Sequence, residues 1–89
     1  MTPPVALQAM AADQWVRREA LERLVSDHQR RLFLVALSIL RDPAEAEDAV
    51  QESFLLAWRR WDTLRDEARR PQWLTSICVR HCLRRRRGL

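Results

Sequence analysis

The sequence predicts an all-α protein, a compact three-helix bundle in which a long first helix precedes two shorter ones. The chain of 89 residues contains one glycine, and 47% of its residues are apolar. Apolar residues recur at spacings of three and four, which is the period of an amphipathic helix and not of a strand. A chain of this length forms one small domain. Its core is near the lower size limit for folding without disulfides or a bound metal.

The middle helix, Asp42 to Trp61, carries the clearest signals. Asp42 occupies an N-cap position, Pro43 follows at the first helical position, and Glu45 lies three residues after the cap. Because the residue before a proline disfavours helical dihedral angles, the same pair ends the preceding helix. One face is apolar and is expected to be buried: Ala46, Ala49, Val50, Ser53, Phe54, Ala57 and Trp61, with Trp58 at its edge.

The first helix is predicted to begin after the N-cap candidate Asp13 and to run to Arg41, about 27 residues, with a bend allowed near Ser26–Asp27. Residues 1–12 contain two prolines and no clear period, so we expect a flexible N-terminal arm there. The inward positions of this helix are Val16, Ala20, Leu21, Leu24, Val25, His28, Leu32, Val35, Ala36, Ile39 and Leu40.

A connector from Asp62 to Arg70, with Leu64 as its apolar anchor, leads to the last helix. That helix is predicted to follow Pro71, from Gln72 to about Arg87, with Gly88 as its stop. Residues 13–87 would then form the helical domain, and residues 88–89 would start a linker. The inward face is Leu74, Ile77, Cys78 and His81, the outward face is Gln72, Ser76, Arg80, Leu83, Arg84 and Arg87, and Trp73 lies between them.

The charge is divided along the chain. Residues 1–58 hold six arginines against nine acids, whereas residues 59–89 hold ten arginines against three acids. The basic third is expected to attract a polyanion, of which nucleic acid is the obvious one. On the middle helix, Asp48, Gln51, Glu52, Leu55 and Arg59 form an outward stripe with Leu56 beside it. Leucines in a polar stripe favour a docking face, although isolated exposed leucines are also common.

The motifs of enzymes are missing from the sequence. It contains no phosphate-binding loop, nucleophile elbow or zinc-protease helix, so we expect no catalysis, no cofactor and no small-molecule substrate. Cys78, His81 and Cys82 would hold zinc only with a further ligand, for which His28 is the candidate. The alternative interpretation, reduced core cysteines and core histidines, is favoured. No signal peptide or membrane span is evident, so a cytoplasmic location is expected.

Two blocks of sequence resemble a known family. The stretch DAVQESFLLAWRR, from Asp48, resembles the core-binding helix (region 2.2) of bacterial RNA polymerase sigma factors. It is most similar to the extracytoplasmic-function (ECF) group of the sigma-70 family. The stretch PQWLTSICVR, from Pro71, resembles the start of the promoter-reading helix in that family. The resemblance runs from about Glu19 to Arg87, with the two blocks at their usual separation.

The resemblance implies a transcription initiation factor that docks on the clamp helices of the largest RNA polymerase subunit. It would also bind the non-template strand of the −10 promoter element, with a flipped base in the connector. The implied polymerase-binding residues are Asp48, Gln51, Glu52, Leu55, Leu56 and Arg59. The implied DNA-binding residues are Arg65, Arg69, Arg70, Gln72, Ser76, Arg80, Arg84 and Arg87. An anti-sigma factor is a further expected partner, by analogy with the group.

Two departures from the family pattern limit what is carried over. Arg80 stands where the family often has asparagine, so the base preference does not transfer. The helix-turn-helix domain that reads the −35 element is absent, and we therefore expect this chain to be an isolated first domain. Two other hypotheses remain open: a helical protein-interaction module with a solvated arginine tail, and a binder of duplex DNA that inserts its last helix into a groove.

Overall fold

The computed structural model describes residues 5–88, apart from the side chains of Leu7 and Ala9. Three helices make up the bundle: α1 (Val5–Leu40), α2 (Pro43–Arg59) and α3 (Arg70–Gly88). Two short 3-10 turns, Trp61–Thr63 and Glu67–Arg69, occupy the connector between α2 and α3. Each helix packs against the other two, and the all-α prediction is confirmed.

Helix α1 begins at Val5, where we expected a flexible arm. Residues 5–12 are rich in alanine, and no proline or glycine follows until Pro43. Because alanine favours the helix and nothing interrupts it, the helix continues through residues 5–12. These residues extend beyond the core, since Val5, Met10 and Trp15 are exposed. Val16, which we expected to face inward, is 60% exposed for the same reason. Residues 1–4 of the predicted arm lie outside the described residues.

The turn between α1 and α2 follows the expected chemistry. Arg41 has a left-handed backbone with φ of 57°, and its N–H donates to the carbonyl oxygen of Leu37 at 2.8 Å. Asp42 is extended, and its Oδ1 accepts a hydrogen bond from the backbone N–H of Glu45 at 3.0 Å. This is the N-cap that the sequence predicted.

The core lies where the three helices meet. It is built from Leu32 and Ala36 of α1, the predicted apolar face of α2, and Leu74, Ile77, Cys78 and Cys82 of α3. Ser53 is the buried polar residue of this face, and its hydroxyl donates to the carbonyl oxygen of Ala49 at 2.7 Å. The hydroxyl is thus satisfied within its own helix, so its burial leaves no polar group without a partner.

The ends of α2 and α3 differ slightly from the prediction. Helix α2 stops at Arg59, because Arg60 leaves the helical region with φ of −106°, and Trp61 then packs into the core from the following turn. Helix α3 starts at Arg70 and includes Gly88, the first residue of the expected linker, whereas Leu89 lies outside the described residues. Over residues 5–88, no helix has an apolar stretch long enough to cross a bilayer.

Candidate functional site

The outward face of α2 carries the predicted docking residues. Asp48, Gln51, Leu55 and Arg59 are exposed, and Leu55 is 60% exposed. Leu56, the leucine predicted beside this stripe, is half-buried and packs against the core. Leu55 therefore offers a partner more apolar surface than Leu56, part of which the bundle already covers.

Arg85 of α3 reaches across to the acidic edge of α2. Its Nη2 atom lies 2.6 Å from Oε2 of Glu45 and 2.9 Å from Oδ2 of Asp48, and Nη1 lies 3.5 Å from Oε2 of Glu52. Its Nε–H also donates to Oε2 of Glu45 at 2.8 Å. Hydrogen bonding to Asp48 raises the pKa of Arg85 above its ordinary value. We call Arg85, Glu45, Asp48 and Glu52 the Arg85 cluster.

His81, one turn before Arg85, extends the same contact between α2 and α3. Its Nε2 atom lies 2.5 Å from Oε2 of Glu52, and its side chain is 21% exposed. Glu52 therefore contacts two side chains of α3. Arg85 lies one turn after the inward-facing His81, and this position directs it toward α2.

An open groove of about 700 Å³ runs between α2 and α3 beside the Arg85 cluster. The groove combines two leucines with charged groups of both signs, which suits a partner helix that is both apolar and charged. Its lining residues are Glu52, Leu55, Leu56, Arg59, His81, Arg84 and Arg85.

The outward face of α3 presents a second surface. Gln72, Ser76, Arg80, Arg84 and Arg87 are all exposed. We call Arg80, Arg84 and Arg87 the α3 arginine stripe. No acid among residues 5–88 forms an ion pair with any of the three. Their guanidinium groups are therefore available to phosphate oxygens and base edges.

The connector arginines differ from one another. Arg65 is exposed, and Arg69 is 76% exposed at 3.7 Å from Asp66. Arg70 is 22% exposed, because its guanidinium lies 4.4 Å from the ring centre of Trp61 and 3.6 Å from Glu67. This cation–π contact occupies one face of the group. Arg70 thus stabilises the start of α3, a role that the sequence prediction did not include.

Trp73 takes part in the packing of the connector. Its ring meets that of Trp61 edge to face, with centroids 6.0 Å apart and planes at 69°. Trp73 is half-buried against the core. This geometry favours a packing role for Trp73 over stacking on a nucleic-acid base.

The cysteines of α3 are buried and free. Burial and the neighbouring Cys78 thiol raise the pKa of Cys82 to about 12, so its thiol is protonated and unreactive near neutral pH. Among residues 5–88, no three histidine, cysteine or acidic side chains are arranged to hold a metal ion. The zinc hypothesis therefore gains no support, and His81 has Glu52 as its partner instead.

Comparison with known families decides the identity of the fold. Residues 24–89 match the family described as Sigma-70 region 2. The chain belongs to this family. It is similar to the probable RNA polymerase sigma factor RfaY of Xanthomonas campestris pv. campestris, with 40% identity over 60 residues, covering 67% of this chain and 15% of that protein. No solved structure shows a significant match.

A second relative indicates the group within the family. The chain is 34% identical over 69 residues to the ECF RNA polymerase sigma factor SigL of Mycobacterium tuberculosis, covering 76% of this chain and 39% of SigL. The chain therefore spans less than half of the length of these relatives. The family match begins at Leu24, so the first half of α1 lies outside the region 2 match.

Sequence reasoning missed two residues of this region 2 domain that join α2 to α3: Glu45, assigned only to the cap, and Arg85. A signal for Arg85 was present. It follows Cys78 by seven residues, His81 by four and Cys82 by three, which places it on the inward face. The inward position of Arg85 was not recognised, because residues 84–87 are all arginine and a run of identical residues shows no periodicity.

Proposed function

We propose that this region 2 domain acts in transcription initiation through two surfaces on one bundle. The outward face of α2 docks on the clamp helices of the largest RNA polymerase subunit. The α3 arginine stripe and the connector hold the non-template strand of the −10 element. The observation that carries the proposal is Leu55, which is 60% exposed beside the polar and charged side chains of Gln51 and Arg59, since an exposed apolar residue with polar groups around it is the pattern of an interface centre.

The second surface is supported by its charge. The α3 arginine stripe has no acidic partner among the described residues, and Arg65 and Arg69 extend positive charge into the connector. A single strand bound there would neutralise its phosphates, which contributes a salt-dependent part of the affinity. Melting costs a few kcal/mol for each unstacked step, so the domain must bind the open strand better than the duplex.

No residue on either surface forms or breaks a covalent bond in this proposal. The domain acts by binding, with a cation-rich surface for the strand and a mixed acidic and apolar surface for the polymerase. A protein that covers either surface would inhibit it, and an anti-sigma factor is the kind of partner that we propose for this role.

The first test is titration of the domain against the isolated clamp helices. Gln51→Ala combined with Leu55→Ala is expected to weaken binding by about tenfold or more, because the centre of the interface is lost. Leu34→Ala is the matched control, since Leu34 is 54% exposed on α1, and its loss removes similar apolar area away from the proposed face.

Equal affinity of the wild type and the double variant would remove the docking assignment. Absence of any wild-type binding, with circular dichroism showing a folded domain, would favour the interaction-module hypothesis. Preference for duplex over single-stranded DNA would favour the groove-binding hypothesis instead.

A further inference from the structure

The Arg85 cluster overlaps the proposed docking face. Asp48 and Glu52 belong to that face, and both contact Arg85 through one carboxylate oxygen each. Glu45, which is outside the face, binds the same guanidinium: its Oε2 atom contacts both Nε and Nη2 of Arg85. A cation of the domain itself therefore occupies the acids that a basic partner would need.

The geometry makes this occupation reversible. The acids remain 59% exposed at Asp48 and 44% exposed at Glu52, whereas the Arg85 side chain is 21% exposed. A partner can thus reach the carboxylates from solvent without unfolding the bundle. Ala49 and Ser53 of α2 and Leu74 and Cys78 of α3 are fully buried, so we expect the two helices to stay packed if Arg85 is displaced.

We propose that Arg85 is an internal competitor for the docking face, a contact that lowers the affinity of the free domain for a basic partner surface. This inference rests on the proposed function, because it assigns Asp48 and Glu52 to the partner. When the partner binds, its cations take over those two carboxylates, and Arg85 keeps Glu45 alone or turns to solvent. Binding of the partner and release of Arg85 are therefore linked.

The competitor role differs from a purely structural role in the sign of its effect on binding. A structural contact, once removed, would leave the docking face poorly ordered and weaken binding. A competitor, once removed, leaves two carboxylates without their cation and strengthens attraction to a basic surface. Arg86 provides the comparison: it is exposed, and it forms no ion pair with any described residue.

The experiment titrates the wild type, Arg85→Gln and Arg86→Gln against the isolated clamp helices at low salt. Arg85→Gln is expected to bind about three- to tenfold more tightly than wild type, and the gain should shrink as salt screens the charges. Arg86→Gln, with the same loss of formal charge, should change affinity by less than about twofold. Arg85→Gln binding no more tightly than Arg86→Gln would overturn the proposal.

A second measurement covers the case in which Arg85→Gln is poorly folded. The guanidinium protons of Arg85 are followed by NMR in the wild-type domain as clamp helices are added. They should exchange slowly when bound to Asp48 and Glu45, and faster when the partner is saturating. Unchanged exchange at saturation would also overturn the proposal.

The two proposals fail in different ways. If the wild type binds the clamp helices through Gln51 and Leu55 but Arg85→Gln gives no gain, the competitor role alone is lost. If neither the wild type nor Arg85→Gln binds, the docking assignment and the competitor role are lost together.

Discussion

Arg85 and Arg84 are adjacent arginines of one helix with opposite surroundings. Arg85 turns inward and meets three carboxylates of α2. Arg84 turns outward, and among residues 5–88 its Nε–H finds the carbonyl oxygen of Arg80 as its acceptor, at 3.4 Å. One position along a helix rotates a side chain by about 100°. Two residues of the same type therefore differ in role because of their positions on the helix: Arg85 makes a contact within the bundle, and Arg84 is available to a partner.

The inward side of α3 also supports the largest effect that we predict, which is a loss of stability at alkaline pH. The pKa of Cys82 is raised from 9.0 to about 12 by burial and by Cys78, and Arg85 opposes this rise. The folded state holds the Cys82 proton more tightly than the unfolded state does. The protonated thiol therefore stabilises the fold fully below pH 9, and this stabilisation is lost as the pH rises towards 12. The slope is at most about 1.4 kcal/mol per pH unit.

The chain suits this measurement, because it has no tyrosine and all its basic side chains are arginine. No tyrosine or lysine therefore titrates between pH 9 and 12 beside Cys82. Urea unfolding with reductant present is expected to show the decline, and Cys82→Ala should flatten it even if that variant is less stable at pH 8. The same slope in both proteins would contradict the assignment to Cys82.

The second-largest expected effect is a loss of affinity for single-stranded DNA when an arginine on the outward side of α3 is replaced. Arg80→Gln is expected to lower affinity for a −10 strand by about tenfold at low salt, and to reduce the slope of log affinity against log salt by about 0.7. Arg69→Ala should act in the same direction. Fluorescence anisotropy of labelled single strands titrated with the isolated domain provides the measurement.

Arg85→Gln is the matched control for the strand-binding measurement, since it removes the same charge from the same helix. Its salt slope should equal that of the wild type, because Arg85 faces the acids of α2. If Arg80→Gln and Arg85→Gln change the slope equally, the comparison between the two sides of α3 is wrong.

The smallest effect concerns the stability of the Arg85 cluster at neutral pH. Arg85→Gln is expected to lower the free energy of unfolding by about 1 kcal/mol, since it removes a network of partly exposed ion pairs. Arg86→Gln should stay within about 0.5 kcal/mol of wild type. Thermal unfolding of the three proteins provides the measurement, and a greater loss from Arg86→Gln would reverse the assignment.

The amino-acid sequence by itself determined the three helices, the Asp42 cap, the buried face of α2 and the family. These features depend on contacts within a few residues, or on spacings that a helix fixes. It also located the docking stripe on α2 and most of the arginines on the outward side of α3. Their roles in binding stay predictions that the variants above test.

Only the tertiary structure decided which charged groups are already occupied. Arg85 lies 40 residues from Glu45 and 37 from Asp48 in the chain, and Arg70 is held by Trp61 across the connector. No local pattern specifies such pairs, because they depend on how α2 and α3 are packed. The same packing left Val16 exposed, since α1 extends beyond its neighbours. The side of a helix on which a residue lies is set by its position in that helix. The side chain that it contacts is set by the helix that packs against it.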